Sequence, residues 1–276
     1  MPIETKPLTD HVGIEILGVG ADDLQNGAIA AELDRLLAQH GVLVFREIHV
    51  DDKAQVGFST FLGEVQTFPG ATGEYPEIFL VTLDPTKNKA AEYLRGTFFW
   101  HLDGSSDPIP NKATMLAAKA VASDGGETEF CSTYVAYDTL PQATKHKIEA
   151  LRVAHSVGAS QLLVHPDPSP EQREVFSRLP VREQPLVWTH PDGRKSLVLG
   201  ATASHVVGWD QADSDALLHE LTEWSTQESR VYQHIWSVGD LVIWDNRGTM
   251  HRAVPYAVDS PRIMHRTTIF GDEAFN

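Results

Sequence analysis

The stretch GTFFWHLDGSS, residues 96–106, sets the expectations for both the fold and the chemistry of this chain. It begins with an apolar aromatic run, 98–100, of the kind that a buried strand carries. His101 and Asp103 follow at a spacing of two, and side chains two residues apart point to the same side of a strand. Gly104 then lets the chain turn away after the carboxylate. The stretch predicts a buried strand that ends in two candidate metal ligands.

The His-x-Asp pattern alone is weak evidence, because it occurs four times in the chain. The four pairs are His49/Asp51, His101/Asp103, His165/Asp167 and His190/Asp192. Two of them, in HPDP and HPDG, have proline at the middle position within turn-like sequence. Asp51 is better explained as the N-cap of a helix. Only the pair at His101 lies in a strand-like context, where an ordinary hydrogen bond between the two side chains is the alternative.

A third ligand is expected far along the chain, because a jelly roll brings distant strands together around its mouth. Two histidines and one carboxylate are typical of a mononuclear iron centre that leaves positions open for a co-substrate and O2. His251, in VIWDNRGTMHRAV (242–254), follows a tight turn and precedes Arg262 by eleven residues. The other histidines that compete formally for this role are His155, His205, His234 and His265.

The strand-like segment RIMHRTTIF, residues 262–270, supplies two arginines. Arg262 and Arg266 would lie on one face of that strand, together with Met264 and Thr268. A buried arginine requires an anion, and its guanidinium can hold a carboxylate through two parallel hydrogen bonds. The dicarboxylate 2-oxoglutarate fits, since its keto acid end can chelate iron while its far carboxylate reaches Arg262. Thr128, in GGETEF, would add a hydroxyl donor.

Short strands separated by turns dominate the chain after its N-terminal part. Candidate strands are 41–47, 114–121, 185–190, 195–200, 231–236, 240–245 and 262–270. Helices are expected at 22–40, after Asp51 or Asp52, after Leu140 and at 210–226. This pattern favours a sandwich or jelly roll with flanking helices. At 276 residues, one domain spanning 1–276 is the simplest organisation.

Composition excludes several classes of protein. The net charge of −16 repels phosphate backbones and anionic membrane surfaces, so no nucleic-acid or membrane partner is expected. Cys131 is the single cysteine, which rules out an intrachain disulfide and a cysteine-rich metal site. The start of the sequence has no secretory pattern, and no apolar run approaches the roughly 18 residues of a spanning helix. We therefore expect a cytoplasmic protein.

Taken together, the motifs WHLDGSS, GGETEF, WDNR before MHR, and RIMHRTTIFGD resemble the TauD/TfdA family of Fe(II)- and 2-oxoglutarate-dependent dioxygenases. The resemblance covers nearly the whole chain and implies a double-stranded β-helix, or jelly-roll, core. It also implies an enzyme that uses Fe(II), 2-oxoglutarate and O2 to hydroxylate a small anionic substrate of the aryloxyalkanoate, alkyl sulfate or sulfonate type. Succinate and CO2 would be the co-products, and a homo-oligomer, dimer or tetramer, is common in similar enzymes.

The resemblance also assigns residues by position. His101, Asp103 and His251 match the iron ligands of the family. Thr128 and Arg262 match the residues that bind the far carboxylate of 2-oxoglutarate. Arg266 matches a second arginine that holds the anionic group of the substrate. A strand arginine can also pair with a carboxylate or reach solvent, which is the alternative for Arg266.

Substrate identity does not follow from the resemblance, because two subgroups of the family are represented. GGETEFCSTYVAYDTLP and SLVLGATASHVVG are similar to aryloxyalkanoate-degrading members, whereas RIMHRTTIFGDEAF is closer to taurine enzymes. Phe68 stands where taurine enzymes carry a histidine, and Thr97 stands where an asparagine is expected. Both changes favour a larger or more apolar substrate, with a core position as the alternative for Phe68. Ser106 and His155 are further candidates for substrate contact, with a turn serine and a buried histidine as alternatives.

Two other functions are compatible with the ligand pattern. A cupin-like metalloenzyme that does not use 2-oxoglutarate would keep the histidines and need neither Thr128 nor Arg262. A non-catalytic, metal-stabilised binding protein would have a closed coordination sphere. The proline-rich segment 165–180 is expected to be a long loop, serving either as a lid over the site or as a surface linker.

Overall fold

A computed structural model describes residues 3–68 and 73–276 of the chain. The strands in this part are β1 (Glu4–Pro7), β2 (Ile14–Leu17), β3 (Val42–Phe45), β4 (Phe79–Val81), β5 (Ala113–Ala120), β6 (Thr128–Ser132), β7 (Arg152–His155), β8 (Arg182–Pro185), β9 (Val187–Thr189), β10 (Lys195–Leu197), β11 (Ala203–Val206), β12 (Val231–His234), β13 (Leu241–Asp245), β14 (Thr249–Ala253) and β15 (Ile263–Ile269). The α-helices are α1 (Gly27–His40), α2 (Asp52–Leu62), α3 (Ala91–Leu94), α4 (Thr133–Thr139), α5 (Gln142–Ile148), α6 (Val157–Val164), α7 (Pro170–Ser177) and α8 (Gln211–Ser225). Short 3-10 helices lie at Asp22–Gln25, Arg95–Phe98 and Glu228–Arg230.

The largest sheet has seven strands in the order β1-β2-β3-β13-β5-β15-β4. Its central strand β13 pairs antiparallel with both β3 and β5. Side chains alternate along β13, so that Ile243 packs among the residues on one face of the sheet while Trp244 packs among those on the other. Both faces of this sheet are therefore covered, which explains why VLVF of β3 is buried at every position.

Helices α1 and α2 cover one face of the large sheet. Leu33 and Leu37 of α1 and Phe58 of α2 are each at most 1% exposed and join the core cluster that contains Met115 of β5. Burying one such side chain is worth roughly 1.5–3 kcal/mol. The helix expected at 22–40 begins later than predicted, because Asn26 caps it by accepting hydrogen bonds from two backbone amides of its first turn.

The second helix and the C-terminal helix start as their sequences predict. The Asp51 carboxylate accepts a hydrogen bond of 2.7 Å from the backbone amide of Ala54, so Asp51 rather than Asp52 is the N-cap of α2. The same arrangement begins α8, where Asp210 accepts from the amide of Asp213. The predicted role of Asp51 as a helix cap, and not a ligand, is confirmed.

A three-stranded sheet, β12-β6-β14, packs against the other face of the large sheet. Phe130 of β6 is fully buried between the two sheets, with Val242 and Trp244 of β13 among its cluster. Two sheets packed face to face, with helices outside, confirm the predicted mainly β architecture with flanking helices around a jelly-roll core.

A third core cluster holds the segment that carries the candidate ligands. Trp100 and Leu102 are buried in this cluster with Leu197 of β10 and Leu221 of α8. Side chains alternate between the two sides of an extended segment. His101 and Asp103 therefore point away from this core cluster. This packing fixes the orientation of His101 and Asp103.

The structure corrects two expectations. The predicted strand through 98–100 does not form: Phe98 ends a 3-10 helix, and His101 makes only a single β-bridge, to His251. The segment 165–180 is not a plain loop, because it contains α7, whose start combines Pro170 in the first turn with a capping box formed by Ser169 and Gln172.

Within residues 3–68 and 73–276, none of the helices combines the length and the apolar character that crossing a bilayer demands.

Candidate active site

The two histidines of the site are held together by the backbone. The amide of His101 donates to the carbonyl of His251 at 3.0 Å, and the amide of His251 donates back to the carbonyl of His101 at 2.9 Å. This reciprocal pair is one rung of an antiparallel ladder, which places the two side chains next to each other. Their ring centroids lie 4.1 Å apart. The structure therefore brings together two residues that are 150 positions apart in the chain.

Asp103 completes the group. Its carboxylate oxygens lie 3.6 Å from Nε2 of His101 and 3.8 Å from Nε2 of His251. Gly104, at φ +83°, directs the chain away immediately afterwards, as predicted. Gly200 adopts φ +108° beneath His101, and a Cβ there would lie 2.8 Å from the His101 Cα. Any larger residue at Gly200 would displace the segment that carries both ligands.

The protonation states of these side chains suit a metal ion. His101 Nδ1 lies 2.9 Å from the carbonyl oxygen of Phe99, which can only accept, so Nδ1 donates in this bond and Nε2 is the nitrogen that faces Asp103. Burial, together with His101, lowers the pKa of His251 to about 3, against the opposing effect of Asp103, so this imidazole is neutral. Burial alone would raise the pKa of Asp103, but the two histidines, Arg266 and a hydrogen bond lower it to about 2.

The donor set fits a divalent iron ion. One ligand atom from each of His101, Asp103 and His251 lies within 4.8 Å of the others, which is close enough for a single ion to contact all three. Nδ1 of His251 is buried without a hydrogen-bond partner among the described residues. Two imidazoles and one carboxylate, with the remaining coordination positions free, are typical of non-haem Fe(II) oxygenases.

A cavity opens beside this group, and the residues predicted to bind 2-oxoglutarate line it. Arg262 and Thr128 lie in its wall together with His101 and His251. Arg262 is only 3% exposed and has no carboxylate partner in the described part of the chain, while its Nε donates to the carbonyl of Gly126 at 3.2 Å. Such a buried guanidinium can bind an anionic ligand.

Arg266 of β15 lines the same cavity as Arg262, which directly precedes that strand. Both arginines therefore face the site, as predicted. Its Nε is buried without a hydrogen-bond partner in the described residues. Its guanidinium lies 4.6 Å from the ring centroid of Phe79 and 5.7 Å from that of Phe68, and the two rings are themselves 5.0 Å apart. Within the described residues no ion pair joins Arg266 to a carboxylate; burial lowers its pKa, and the nearby Asp103 partly offsets this.

The remaining predicted contacts are less close to the cavity. Phe68 is not among the residues that line the cavity, but its ring contacts Arg266, which does line it. Ser106 is half-buried and does not line it, whereas the adjacent Ser105 is buried and hydrogen-bonded to Thr202 at 2.7 Å. His155 is fully buried with Nδ1 2.9 Å from the Thr202 hydroxyl, which fits the alternative of a buried, hydrogen-bonded histidine. Roles of Phe68 and Ser106 in substrate binding stay predictions.

Thr97, which the sequence singled out as a departure from the family pattern, lines the cavity, and its hydroxyl donates to the carbonyl of Leu94 at 2.6 Å. Two further residues of the site were not found from the sequence. Thr114 donates to the Asp103 carboxylate at 2.8 Å and accepts from the Asn246 amide at 2.9 Å. Asn246 belongs to the WDNR motif, which was noted as a whole without a role for this residue. No local pattern distinguishes Thr114 from any other strand threonine.

Replacing Thr114 by valine is expected to lower Fe(II) affinity by about 10- to 100-fold, because hydrogen-bond partners of metal ligands contribute on that scale. The change keeps the shape of the side chain and removes the hydroxyl that donates to Asp103 and accepts from Asn246. Anaerobic metal titration measures the effect. Thr267→Val is the matched control, since Thr267 is a buried threonine of β15 whose hydroxyl bonds Ser59 at 2.8 Å on the other face of the sheet. Equal metal affinity in both variants would contradict the prediction.

Comparison with known proteins identifies the family. The model of the taurine catabolism dioxygenase TauD, TfdA family matches residues 4–268. An (S)-phenoxypropionate/alpha-ketoglutarate-dioxygenase of Sphingobium herbicidovorans is 32% identical over 273 residues, covering 97% of this chain and 95% of that protein. An alpha-ketoglutarate-dependent 2,4-dichlorophenoxyacetate dioxygenase of Cupriavidus pinatubonensis is 37% identical over 256 residues, covering 87% and 88%.

Structure gives the same result. A crystal structure of AAD-2 in complex with Mn(II) and N-oxalylglycine superimposes with a TM-score of 0.84 at 31% identity, covering 99% of each chain. That likeness extends over the jelly-roll core and the flanking helices. This chain therefore belongs to the taurine catabolism dioxygenase TauD, TfdA family and is an alpha-ketoglutarate-dependent dioxygenase.

Proposed function

We propose that this enzyme binds Fe(II) through His101, Asp103 and His251 and hydroxylates a small anionic organic substrate, with 2-oxoglutarate (alpha-ketoglutarate) and O2 as co-substrates. One observation carries the proposal: two of the three donor side chains, His101 and His251, line one cavity with Arg262 and Arg266, and Asp103 lies against both histidines. A binding protein with a closed metal site would have no need for that combination. A cupin-like enzyme that does not use 2-oxoglutarate would have no need for Arg262.

The protein's part in catalysis is binding and orientation. Bound iron would supply the oxidation chemistry, in which O2 and 2-oxoglutarate are converted to succinate and CO2 and one oxygen atom enters the substrate. Arg262 and Thr128 would hold the far carboxylate of the co-substrate through charge-assisted hydrogen bonds. Leu94, Leu116 and Trp244 line the rest of the cavity and would keep water away from the reacting groups.

Arg266 would hold the anionic group of the substrate. Its guanidinium, whose Nε is buried, lies near Asp103, and this proximity shifts the pKa of Arg266 upward against the larger effect of burial. An anion bound there would therefore sit beside the iron ligands. The two arginines are four residues apart on one strand segment, so one anion-binding residue would serve the co-substrate and the other the substrate.

An aryloxyalkanoate is the substrate class that we favour. Its carboxylate suits Arg266, and its aromatic ring suits the aromatic and apolar side chains around that arginine, among them Phe68, Phe79 and Val81. The names of the phenoxypropionate and dichlorophenoxyacetate relatives agree with this choice. Thr97 and Leu94, in the same cavity, add no charge that would favour a second anionic group.

An aerobic assay tests the proposal. The enzyme is supplied with Fe(II) and 2-oxoglutarate, and succinate is measured with a panel of aryloxyalkanoates, alkyl sulfates and alkyl sulfonates. We expect Fe(II)-dependent succinate formation that rises with an aryloxyalkanoate and releases the corresponding phenol. Absence of turnover, with or without substrate, in protein shown to be loaded with iron would reject the proposal. Preferential turnover of a sulfate or sulfonate would reject the substrate class alone.

Three broader predictions belong with this function. We propose that residues 1–276 act as one catalytic domain, which the extent of the family match, 4–268, supports. A cytoplasmic location is proposed from the single, buried and unpaired Cys131. A homo-oligomer, either a dimer or a tetramer, stays a prediction that light scattering would test.

A further inference from the structure

Tyr256 lies in the loop between β14 and β15 and lines the same cavity as the candidate iron ligands. It is half-buried, and neither the sequence motifs nor the family resemblance assigns it a role. The loop ends at Arg262, so Tyr256 and Arg262 are six residues apart and meet across the turn that the loop makes. Their contact is the observation on which the inference depends.

Tyr256 is fixed from two sides. The Arg262 guanidinium lies 4.8 Å from the centroid of the tyrosine ring, and its Nη1 donates to the Tyr256 hydroxyl at 3.4 Å. On the other side, Phe98 meets the ring edge-on at a centroid distance of 5.7 Å. The ring is therefore held between the arginine and the 3-10 turn that precedes His101, and its freedom to swing out of the cavity is restricted.

The hydrogen bond from Arg262 decides what the tyrosine hydroxyl can do. A hydroxyl has one proton to donate and lone pairs to accept with. Because an arginine can only donate, the Tyr256 oxygen accepts in this contact, and its own proton stays available for another acceptor. Among the described residues no hydrogen bond uses that proton. A cavity ligand with a carboxylate can accept it.

Thr128 shows the same arrangement on the same cavity. The indole Nε1–H of Trp236 donates to the Thr128 hydroxyl oxygen at 3.0 Å. Since an indole nitrogen is only a donor, the Thr128 proton is also left for an acceptor. Two hydroxyls with free protons therefore accompany the Arg262 guanidinium, and a single carboxylate has enough lone pairs to accept from all three.

We propose that Tyr256 is a third donor to the far carboxylate of 2-oxoglutarate and also positions the Arg262 guanidinium. This inference rests on the proposed function, since it requires 2-oxoglutarate in the cavity. The ring supports the guanidinium from one side, and the hydroxyl donates to the same carboxylate that Arg262 binds. Tyr256 is thus a co-substrate-binding residue of this chain.

Anaerobic titration of the Fe(II)-loaded enzyme tests the inference without turnover. Chelation of a 2-oxo acid by iron produces an absorption band, whose growth with concentration gives the dissociation constant. Tyr256→Phe removes the hydroxyl and keeps the ring over the guanidinium. We expect it to weaken 2-oxoglutarate binding about 10-fold, in line with loss of a hydrogen bond to a charged group. The probe 2-oxovalerate has the same keto acid end and no far carboxylate, so its binding should not change.

Two comparisons make the result decisive. Tyr93→Phe is the matched control, since Tyr93 is exposed on α3 beside the cavity residue Leu94, and it should bind 2-oxoglutarate like the wild type. Thr128→Val should show a loss similar to that of Tyr256→Phe. Unchanged 2-oxoglutarate binding by Tyr256→Phe overturns the inference, as does an equal loss for both 2-oxo acids. Absence of the band in the wild-type enzyme with 2-oxoglutarate would instead contradict the proposed function, on which this inference rests.

Discussion

Asparagine at position 103 is expected to leave the protein folded but without bound iron and without activity. The substitution keeps the shape of the side chain and removes the one negative charge of the predicted ligand set. Fe(II) affinity should fall by more than about 100-fold, beyond the range of 10- to 100-fold that loss of an outer hydrogen-bond partner causes. Succinate formation should fall below detection. Iron content after dialysis and turnover under saturating 2-oxoglutarate measure the two effects.

The chain contains its own matched control for this substitution. Asp167 is the carboxylate of another His-x-Asp pair, and it is exposed in the segment before α7. Asp167→Asn makes the same chemical change in the same sequence pattern, so it should keep wild-type iron content and turnover. If Asp103→Asn retained stoichiometric iron and normal turnover while remaining folded, the assignment of Asp103 as a ligand would be wrong.

The candidate site was predictable from sequence because its residues occur in separate motifs with compatible chemistry. His101 and Asp103 are two residues apart, and the structure does turn both toward one point. Their common orientation comes from an extended segment whose intervening side chain, Leu102, is buried in the third core cluster. The expected strand was wrong because a short apolar run does not by itself reveal whether a neighbouring strand pairs with the segment.

What the sequence could not reveal depends on tertiary contacts. Thr114 is one of many threonines in strands, and only the packing of β5 against the metal segment brings its hydroxyl to Asp103. Tyr256 stands in a loop without a motif, and its contact with Arg262 arises from the path of that loop. The helix α7 was missed because prolines dominate its surroundings, although Pro170 occupies the first turn, where proline is tolerated.

Substitutions of the two arginines in the cavity should affect different ligands: one variant should weaken binding of 2-oxoglutarate and the other binding of the organic substrate. Arg262→Gln is expected to raise the apparent KM for 2-oxoglutarate roughly 100-fold or more, since removing one partner of a buried charge pair costs several kcal/mol. Its effect on the KM for the organic substrate should be small. Arg266→Gln should give the reverse result, with a large increase in the KM for the substrate and little change for 2-oxoglutarate.

Glutamine is shorter than arginine and has fewer donors, but it keeps a polar amide end and removes the charge, so the same change at each position compares the two anion contacts. Arg252→Gln provides the control: Arg252 follows the candidate ligand His251 on β14, but its Nε donates to the Glu129 carboxylate at 2.6 Å and it does not line the cavity. Its substitution should leave both KM values close to wild type. Steady-state kinetics with one ligand varied and the other saturating measures all three variants. If both cavity variants raised both KM values equally, Arg262 and Arg266 would be maintaining the cavity as a unit, and the division between a co-substrate and a substrate residue would be wrong.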